Sequence, residues 1–148
     1  ALVAACSAPG AVRATEAPSE LCRVLGEDGR PEAVQAASDK WGTPPHLLLA
    51  FMRQESHFKA DKRHAATTGP YGYPQAILST WNQYKRETGN SGASRNSFAD
   101  SMDFIGWYTS GTHKRTGAPY SATVDHYLAY SRGPGAKGPP SAAALGWT

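Results

Sequence analysis

Apolar residues recur at helical spacing along most of this 148-residue chain. The first clear stripe consists of Val34, Ala37 and Trp41, positions that lie on one face of a helix. Gly42 follows directly, and glycine commonly ends a helix because it adopts left-handed backbone angles without strain. The pattern therefore predicts a helix that begins near Pro31 and ends at Gly42.

A second stripe begins shortly after the first one ends. Leu48, Phe51 and Met52 share one face of a predicted helix, with Thr43 as its N-cap and Pro44 at its first position. Proline suits that position because the first turn of a helix leaves its N–H groups without intrahelical partners. We expect this helix to continue to about residue 55.

Three further stripes and one short apolar segment complete the predicted secondary structure. Residues 21–25 form a single turn. One stripe consists of Ile77, Trp81 and Tyr84 and ends near Gly89, and a second consists of Phe98, Met102 and Ile105, with Ser97 as its cap and its end at residues 109–111. The third consists of Val124, Tyr127 and Leu128, in a helix that starts near Ser121 and ends before Gly133. Residues 112–119 are expected to form a basic loop. The predicted fold class is all-α, with at most a small β element within residues 59–74.

Composition and charge set limits without choosing a function. The length suits one domain, and 40% hydrophobic with 18% charged residues are ordinary for a globular protein. The net charge of +3 and the isoelectric point near 9.0 suit an anionic polymer, and nucleic acid would fit equally well. We expect a folded domain over residues 21–135, preceded by residues 1–20 and followed by a flexible tail over residues 136–148.

The N-terminal residues indicate where the protein works. Small residues precede Cys6 in the segment Leu2-Val3-Ala4-Ala5-Cys6, a pattern typical of the processing site of bacterial lipoproteins. On that interpretation Cys6 is lipidated, residues 1–5 are removed, and residues 7–19 form a tether that is rich in Ala and Pro. A disulfide between Cys6 and Cys22 is the alternative. We favour lipidation, and both alternatives predict a protein outside the cytoplasm.

Glu55 is the most informative candidate for chemistry. It follows Met52 by three residues and Phe51 by four, so it continues the apolar face of its helix. It also lies near the C-terminus of that helix, where the macrodipole disfavours a further negative charge. Burial and the dipole both raise the pKa of a carboxyl, and a general acid at neutral pH needs a raised pKa. The alternative is a glutamate on a fraying last turn that points to water.

Other chemistries have less support in the sequence. The five histidines lack the paired spacing of a metal site, and Cys22 has no second thiol in a C-x-x-C motif. We therefore expect no metal and no other cofactor. No spacing nominates a second catalytic carboxylate. Asp100 and Asp103 are expected to face water, and the other candidates are Asp61 and Asp125.

Three motifs in order, together with one further segment, point to a known family. They are Glu55-Ser56, Gly72-Tyr73-Pro74-Gln75 and Ala129-Tyr130-Ser131, with Phe104-Ile105-Gly106-Trp107-Tyr108 before the last of them. This set resembles the lytic transglycosylases of the soluble-lytic-transglycosylase type, in a small, single-domain, membrane-associated form. That family has a Glu-Ser pair, a Gly-Leu-Met-Gln segment and an Ala-Tyr-Asn motif, so Tyr73, Pro74 and Ser131 are departures. The resemblance covers about residues 21–135.

The resemblance implies a lysozyme-like helical domain and a reaction with one catalytic carboxyl. In the family, the Glu that Glu55 matches protonates the glycosidic oxygen of a MurNAc–GlcNAc β-1,4 linkage, and the substrate's N-acetyl group stabilises the cation. The same Glu then takes the proton of the C6 hydroxyl, which leaves a 1,6-anhydroMurNAc end. A peptidoglycan hydrolase of the muramidase type with the same fold and an inactive glycan-binding scaffold are the alternatives.

The resemblance also implies partners and a location. The expected partner is the glycan strand of peptidoglycan, the expected protein is a monomer, and no nucleic acid is expected to bind. The expected location is the periplasm, where Cys6 would anchor the protein to the outer membrane through its lipid.

Four further residues are predicted to contribute to substrate binding. Ser56 offers a hydroxyl beside the carboxylate, or alternatively caps the helix end. Gln75 offers an amide that can donate to and accept from an N-acetyl group, or alternatively bonds backbone groups. Tyr73 is the aromatic residue expected to form a wall of the cleft, because sugar rings stack on aromatic faces. Tyr130 is expected to place its hydroxyl on the Glu55 carboxyl, or alternatively to belong to the core.

Overall fold

The computed structural model describes residues 19–63 and 69–132, and helices dominate these residues. The helices are α1 (Glu20–Leu25), α2 (Arg30–Trp41), α3 (Pro45–Ser56), α4 (Leu78–Thr88), α5 (Phe98–Thr116) and α6 (Thr123–Arg132). Two isolated antiparallel bridges pair Tyr71 with Arg63 and with Ala76, and the described residues contain no longer strand. The predicted all-α fold with a small β element is confirmed.

Helix α5 lies at the centre of the domain and packs against α2, α3, α4 and α6. Its side chains Met102 and Ile105 are fully buried. Helices α2 and α5 lie close together at Gly106, where an added Cβ atom would lie 2.5 Å from Cδ1 of Trp41. Glycine therefore permits this contact, which holds α2 against the middle of α5.

Helix α3 begins at Pro45, and Pro44 is its N-cap, with φ −58° and ψ 141°. Backbone angles in the helical region are disfavoured for a residue that precedes proline, so Pro45 keeps Pro44 outside the helix. The predicted N-cap, Thr43, is instead fully buried, and its hydroxyl lies 2.8 Å from the hydroxyl of Thr109 on α5. The prediction of Thr43 as the N-cap was wrong, because it did not take into account that Pro45 keeps Pro44 out of the helix.

Helix α5 continues to Thr116, beyond the predicted exit at residues 109–111. Three of its threonines donate their hydroxyl hydrogen to the carbonyl oxygen four residues earlier, namely Thr109, Thr112 and Thr116. These bonds satisfy the hydroxyl groups without interrupting the helix. The helix ends at Gly117, which has φ 70°. Most of the predicted basic loop over residues 112–119 is therefore helical.

Asp103 does not face water, as the sequence had suggested. Its carboxylate accepts hydrogen bonds from Nε1 of Trp41 at 2.7 Å and from the hydroxyl of Tyr84 at 2.6 Å. Lys40 pairs with the same carboxylate at 3.2 Å. Asp103 thus ties α2 and α4 to α5. Asp100 also has partners within the protein, since it accepts from the backbone N–H of Ser94 at 2.9 Å.

Two residues predicted to face the core are among the most exposed apolar side chains. Ile77 is 44% exposed and lies just before α4, and Val124 is 41% exposed in the first turn of α6. Helix α6 buries Leu128, as predicted, together with His126 and Ala129. Of the stripe predicted on α6, Leu128 is buried and Tyr127 is partly buried against the core, so only Val124 lies away from the packed face.

The N-terminal and C-terminal predictions lie partly outside the described residues. Cys6, most of the tether and the tail over residues 136–148 belong to that part of the chain. Cys22 on α1 is disulfide-bonded, and Cys6 is the other cysteine of the sequence. This bond favours the disulfide alternative, while lipidation of Cys6 stays a prediction. Within residues 19–63 and 69–132, no helix is long and apolar enough to cross a bilayer.

Candidate active site

Glu55 lies in the last turn of α3, at a sharp change of chain direction. The helix ends at Ser56, and the next two residues, His57 and Phe58, have φ values of 51° and 60°. The Glu55 side chain is half-buried, and its Oε1 atom is buried without a hydrogen-bond partner among the described residues. A buried carboxyl oxygen in that situation is costly when ionised, so the neutral acid is favoured.

Burial raises the pKa of the Glu55 carboxyl to about 7. The Tyr127 hydroxyl and the Lys62 ammonium stabilise the carboxylate and lower the pKa by less than burial raises it. The group therefore changes protonation near neutral pH. A carboxyl with this property can donate a proton in one step and accept one in the next.

A cavity of about 580 Å³ is lined in part by Glu55. Its walls come from the end of α3, from segment 70–77 and from one face each of α4, α5 and α6. The volume is typical of clefts that enclose a small organic ligand. One set of lining residues is aromatic and comprises Phe104, Trp107, Tyr108, Tyr127 and Tyr130. An aromatic wall beside a protonated carboxyl suits a ligand with apolar faces and polar edges, as sugars have.

Gln75 is the predicted binding residue that the structure brings to the cavity with a defined orientation. It is 8% exposed and has φ 50°. Its Nε2 atom donates to the carbonyl oxygens of Lys62 at 3.0 Å and of Gly72 at 2.9 Å. Its Oε1 atom is buried and has no partner among the described residues. The backbone therefore uses the donors of the side chain, and its acceptor oxygen is left unsatisfied.

Gly72 makes this orientation possible. It has φ 78°, and an added Cβ atom would collide with the carbonyl group of Arg95. The segment is also joined to α6, because the Tyr130 hydroxyl donates to the carbonyl oxygen of Pro74 at 2.7 Å. The loop that carries Gln75 is thus held from two sides.

Tyr130 lines the cavity but does not make the hydrogen bond predicted for it. Its hydroxyl donates to Pro74 rather than to the Glu55 carboxyl. Its ring packs edge-on against Phe51 and Tyr108, at centroid distances of 5.4 and 5.0 Å. Burial and the nearby Glu55 charge raise the pKa of the Tyr130 phenol well above its ordinary value. Tyr130 is a structural bridge between α6 and the Gln75 loop.

Two other predicted binding residues do not line the cavity. Ser56 is fully buried, and its hydroxyl donates to the carbonyl oxygen of Met52 at 3.1 Å. Tyr73 is 6% exposed; its hydroxyl accepts a hydrogen bond from Arg30 at 3.0 Å, and its ring packs edge-on against Phe98. Both residues support the elements that carry Glu55 and Gln75.

Tyr127 is a site residue that the sequence analysis missed. Tyr127 lines the cavity. Burial, and to a smaller extent the charge of Glu55, raise the pKa of the Tyr127 phenol to about 12. Its position three residues before Tyr130 places both tyrosines on one face of α6. This three-residue separation from Tyr130 was the feature of the sequence that could have identified Tyr127 as a site residue.

A second carboxylate, Glu87, also lines the cavity and was not among the predicted candidates. It lies in the last turn of α4, where it accepts hydrogen bonds from Gln83 at 2.8 Å and from Nε1 of Trp107 at 3.0 Å. The separation of Gln83 and Glu87 by four residues indicates one helical face. The contact with Trp107, twenty residues away, has no signal in local sequence.

The Tyr130 hydrogen bond leads to a testable prediction. In Tyr130→Phe the Pro74 carbonyl loses its partner, so the free energy of unfolding should fall by about 0.5–1.5 kcal/mol and lytic activity should fall with it. Tyr120→Phe is the matched control, because the Tyr120 hydroxyl donates to the carbonyl oxygen of Trp41, away from the cavity. That variant should lose stability alone. Full activity in Tyr130→Phe with reduced stability would contradict the bridging role.

Comparison with known proteins identifies a family that matches this chain. A family model described as a transglycosylase SLT domain matches residues 1–138. The match includes all four segments on which the resemblance was based, and it confirms that resemblance. No curated protein and no solved structure gives a match to the chain.

Proposed function

We propose that this chain, which belongs to the transglycosylase SLT domain family, cleaves the MurNAc–GlcNAc β-1,4 linkage of peptidoglycan with Glu55 as its acid and base. The family match supports peptidoglycan lytic transglycosylase activity in general terms. The observation that carries the finer proposal is the Glu55 carboxyl, whose pKa is raised to about 7 by burial in a cavity lined by aromatic residues.

The proposed reaction needs no proton from solvent. Glu55 donates its proton to the glycosidic oxygen, and the bond from that oxygen to C1 of MurNAc breaks. The substrate's N-acetyl group stabilises the positive charge at C1, as in other glycosidases with substrate assistance. The Glu55 carboxylate then takes the C6 hydroxyl proton while O6 bonds to C1. The products are a 1,6-anhydro ring and a free hydroxyl on GlcNAc.

Gln75 is proposed to recognise an N–H group of the substrate. Both of its amide hydrogens are directed to backbone carbonyls, so its free Oε1 atom acts as an acceptor. An N-acetyl group supplies a matching N–H donor. A buried acceptor left without a donor costs about 1–3 kcal/mol, so the site should discriminate against sugars that lack the N-acetyl group.

Glu87 makes a hydrolase the second candidate, because a hydrolytic glycosidase uses two carboxylates on either side of the scissile bond. Both carboxylate oxygens of Glu87 already accept hydrogen bonds, from Gln83 and Trp107. That fixed position on the α4–α5 wall favours a role in holding Trp107. We therefore assign the chemistry to Glu55 alone.

Mass spectrometry of digested peptidoglycan sacculi tests this proposal. The wild-type protein and Glu87→Gln should both release muropeptides with 1,6-anhydroMurNAc ends, and Glu55→Gln should release at least about a hundredfold less of them. Reducing MurNAc ends in place of anhydro ends would establish the hydrolase. A digest of the wild-type protein without soluble products would instead support the inactive glycan-binding scaffold.

Trp107 is proposed to bind a sugar ring on the α4–α5 side of the cavity. Its indole N–H is held by Glu87 and its ring lines the cavity. Removing the ring in Trp107→Leu should weaken binding of an N-acetylglucosamine hexamer by about two- to tenfold, which corresponds to an aromatic contact of about 0.5–1.5 kcal/mol. Calorimetric titration in the Glu55→Gln background, which prevents cleavage, measures this change.

Trp107→Phe is the control for that experiment, because it keeps a ring and loses the hydrogen bond to Glu87. It should retain most of the hexamer affinity. Equal hexamer affinity in Trp107→Leu and the parent protein would show that the indole does not contact the glycan.

We propose that the protein works in the cell envelope, outside the cytoplasm. The disulfide at Cys22 supports this location, because disulfides persist in oxidising compartments. Mass spectrometry distinguishes the two predicted states of Cys6. The intact mass of protein purified from membranes would show either added acyl chains or the loss of two thiol hydrogens, and the two results are mutually exclusive for one molecule.

A further inference from the structure

Lys62 connects Glu55 and Gln75, two polar residues that line the cavity. Its ammonium group donates to the backbone carbonyl oxygen of Glu55 at 2.6 Å. Its own carbonyl oxygen accepts from Nε2 of Gln75 at 3.0 Å and from the backbone N–H of Gly72 at 3.0 Å. One residue therefore holds the end of α3 with its side chain and the Gln75 loop with its backbone.

The carbonyl that Lys62 contacts belongs to the end of a helix. The last carbonyl groups of a helix have no intrahelical partners and carry the negative end of its dipole. A cation at this place satisfies one such group and also lies close to the Glu55 carboxyl. In the cavity's surroundings, Tyr127 and Tyr130 face Glu55 from α6, and both phenols are neutral near pH 7, since burial raises their pKa values further above that pH.

We propose that Lys62 is a positioning residue for the acid–base cycle of Glu55. Its ammonium holds the last turn of α3 in place and favours the carboxylate form that must exist after the first proton transfer. Its carbonyl fixes the Gln75 amide so that the acceptor oxygen is the atom left without a partner among the described residues. This role rests on the proposed function of Glu55, because it assigns Lys62 to the same reaction.

Burial and the Lys62 charge have opposite effects on the pKa of Glu55. Burial raises the pKa of the Glu55 carboxyl, and the Lys62 charge opposes that rise. The other charged residues lining the cavity are Glu87 on α4, Arg115 on α5 and Arg132 at the end of α6. Without Lys62, the carboxyl would hold its proton to a higher pH and would donate it less readily to the glycosidic oxygen, which would impair the first step.

The test is a direct titration of the Glu55 carboxyl by NMR of protein with ¹³C-labelled glutamate. The sequence contains six glutamates, and the signal missing from Glu55→Gln identifies the one of interest. In Lys62→Met the titration midpoint of Glu55 should rise by roughly one pH unit. Lys62→Arg should restore it. Lys59→Met is the matched control, since it removes a neighbouring exposed lysine, and it should leave the midpoint unchanged.

Activity completes the test, because a structural role alone would lower kcat/KM equally at all pH values. For Lys62→Met we expect the basic limb of the pH–activity profile to move in the same direction as the NMR midpoint. An unchanged midpoint in a folded Lys62→Met protein would overturn the proposal. If Lys62→Met does not fold, Lys62→Gln provides the same comparison. The NMR titration does not depend on catalysis, so the two proposals can fail separately. A shifted midpoint in Lys62→Met, together with a wild-type digest that contains no anhydro products, would contradict the proposed reaction and still support the effect of Lys62 on Glu55.

Discussion

Glu55→Gln should lose lytic activity by about 10²–10⁴-fold while keeping the fold and the affinity for glycan. The amide is nearly isosteric with the protonated carboxyl, but it can neither donate the proton that cleaves the glycosidic bond nor accept one afterwards. The rate of turbidity clearing on purified sacculi measures the loss. Binding to N-acetylglucosamine oligomers should remain within about twofold, since Oε1 of the new side chain occupies the same position.

Glu87→Gln is the control for this experiment, because Glu87 is the other carboxylate that lines the cavity. It should retain most of the activity, as its amide oxygen can still accept from Trp107. Clearing by Glu55→Gln near the wild-type rate would show that another residue is the acid. A loss in Glu87→Gln as large as in Glu55→Gln would favour the two-carboxylate hydrolase.

The stability of the wild-type protein should decrease as the pH rises from about 5 to 8, because Glu55 is more basic in the folded state. Its pKa is about 7 in the fold and about 4.5 in the unfolded chain. Between these values the folded state binds more protons, so the contribution of Glu55 is fully present below pH 4.5 and is lost as the pH passes 7. The decrease is at most about 3 kcal/mol.

Urea unfolding of the wild-type protein and Glu55→Gln at about pH 5 and pH 8 isolates this effect. The two proteins should have similar unfolding free energies at pH 5, and the variant should be more stable at pH 8. All other titrating groups are common to both proteins, so they cancel in the comparison. An unchanged difference between the two pH values would mean that the Glu55 carboxyl is not buried in the folded protein. The expected gain of stability with loss of activity is a typical cost of a catalytic residue.

The sequence contained most of the local structure of this protein. Stripes of apolar residues and terminal glycines identified α2 and α4 almost to the residue, because helix periodicity and capping are decided within ten to twenty neighbouring positions. The position of Glu55 on such a stripe, near a helix end, was also readable, and it predicted a raised pKa from burial. The family was readable because its motifs are short and keep their order along the chain.

Tertiary contacts decided the remaining features, since the partners lie far apart in the sequence. Thr43 became a core residue through Thr109, and Asp103 was hydrogen-bonded by Trp41 and Tyr84. The Tyr130 hydroxyl lies on the Pro74 carbonyl rather than on Glu55. A side chain's helical spacing limits which face it occupies, but its hydrogen-bond partner depends on which elements pack against that face. For this reason Glu55, the proposed catalytic carboxyl, could be found from the sequence, whereas the residues that surround it required the fold.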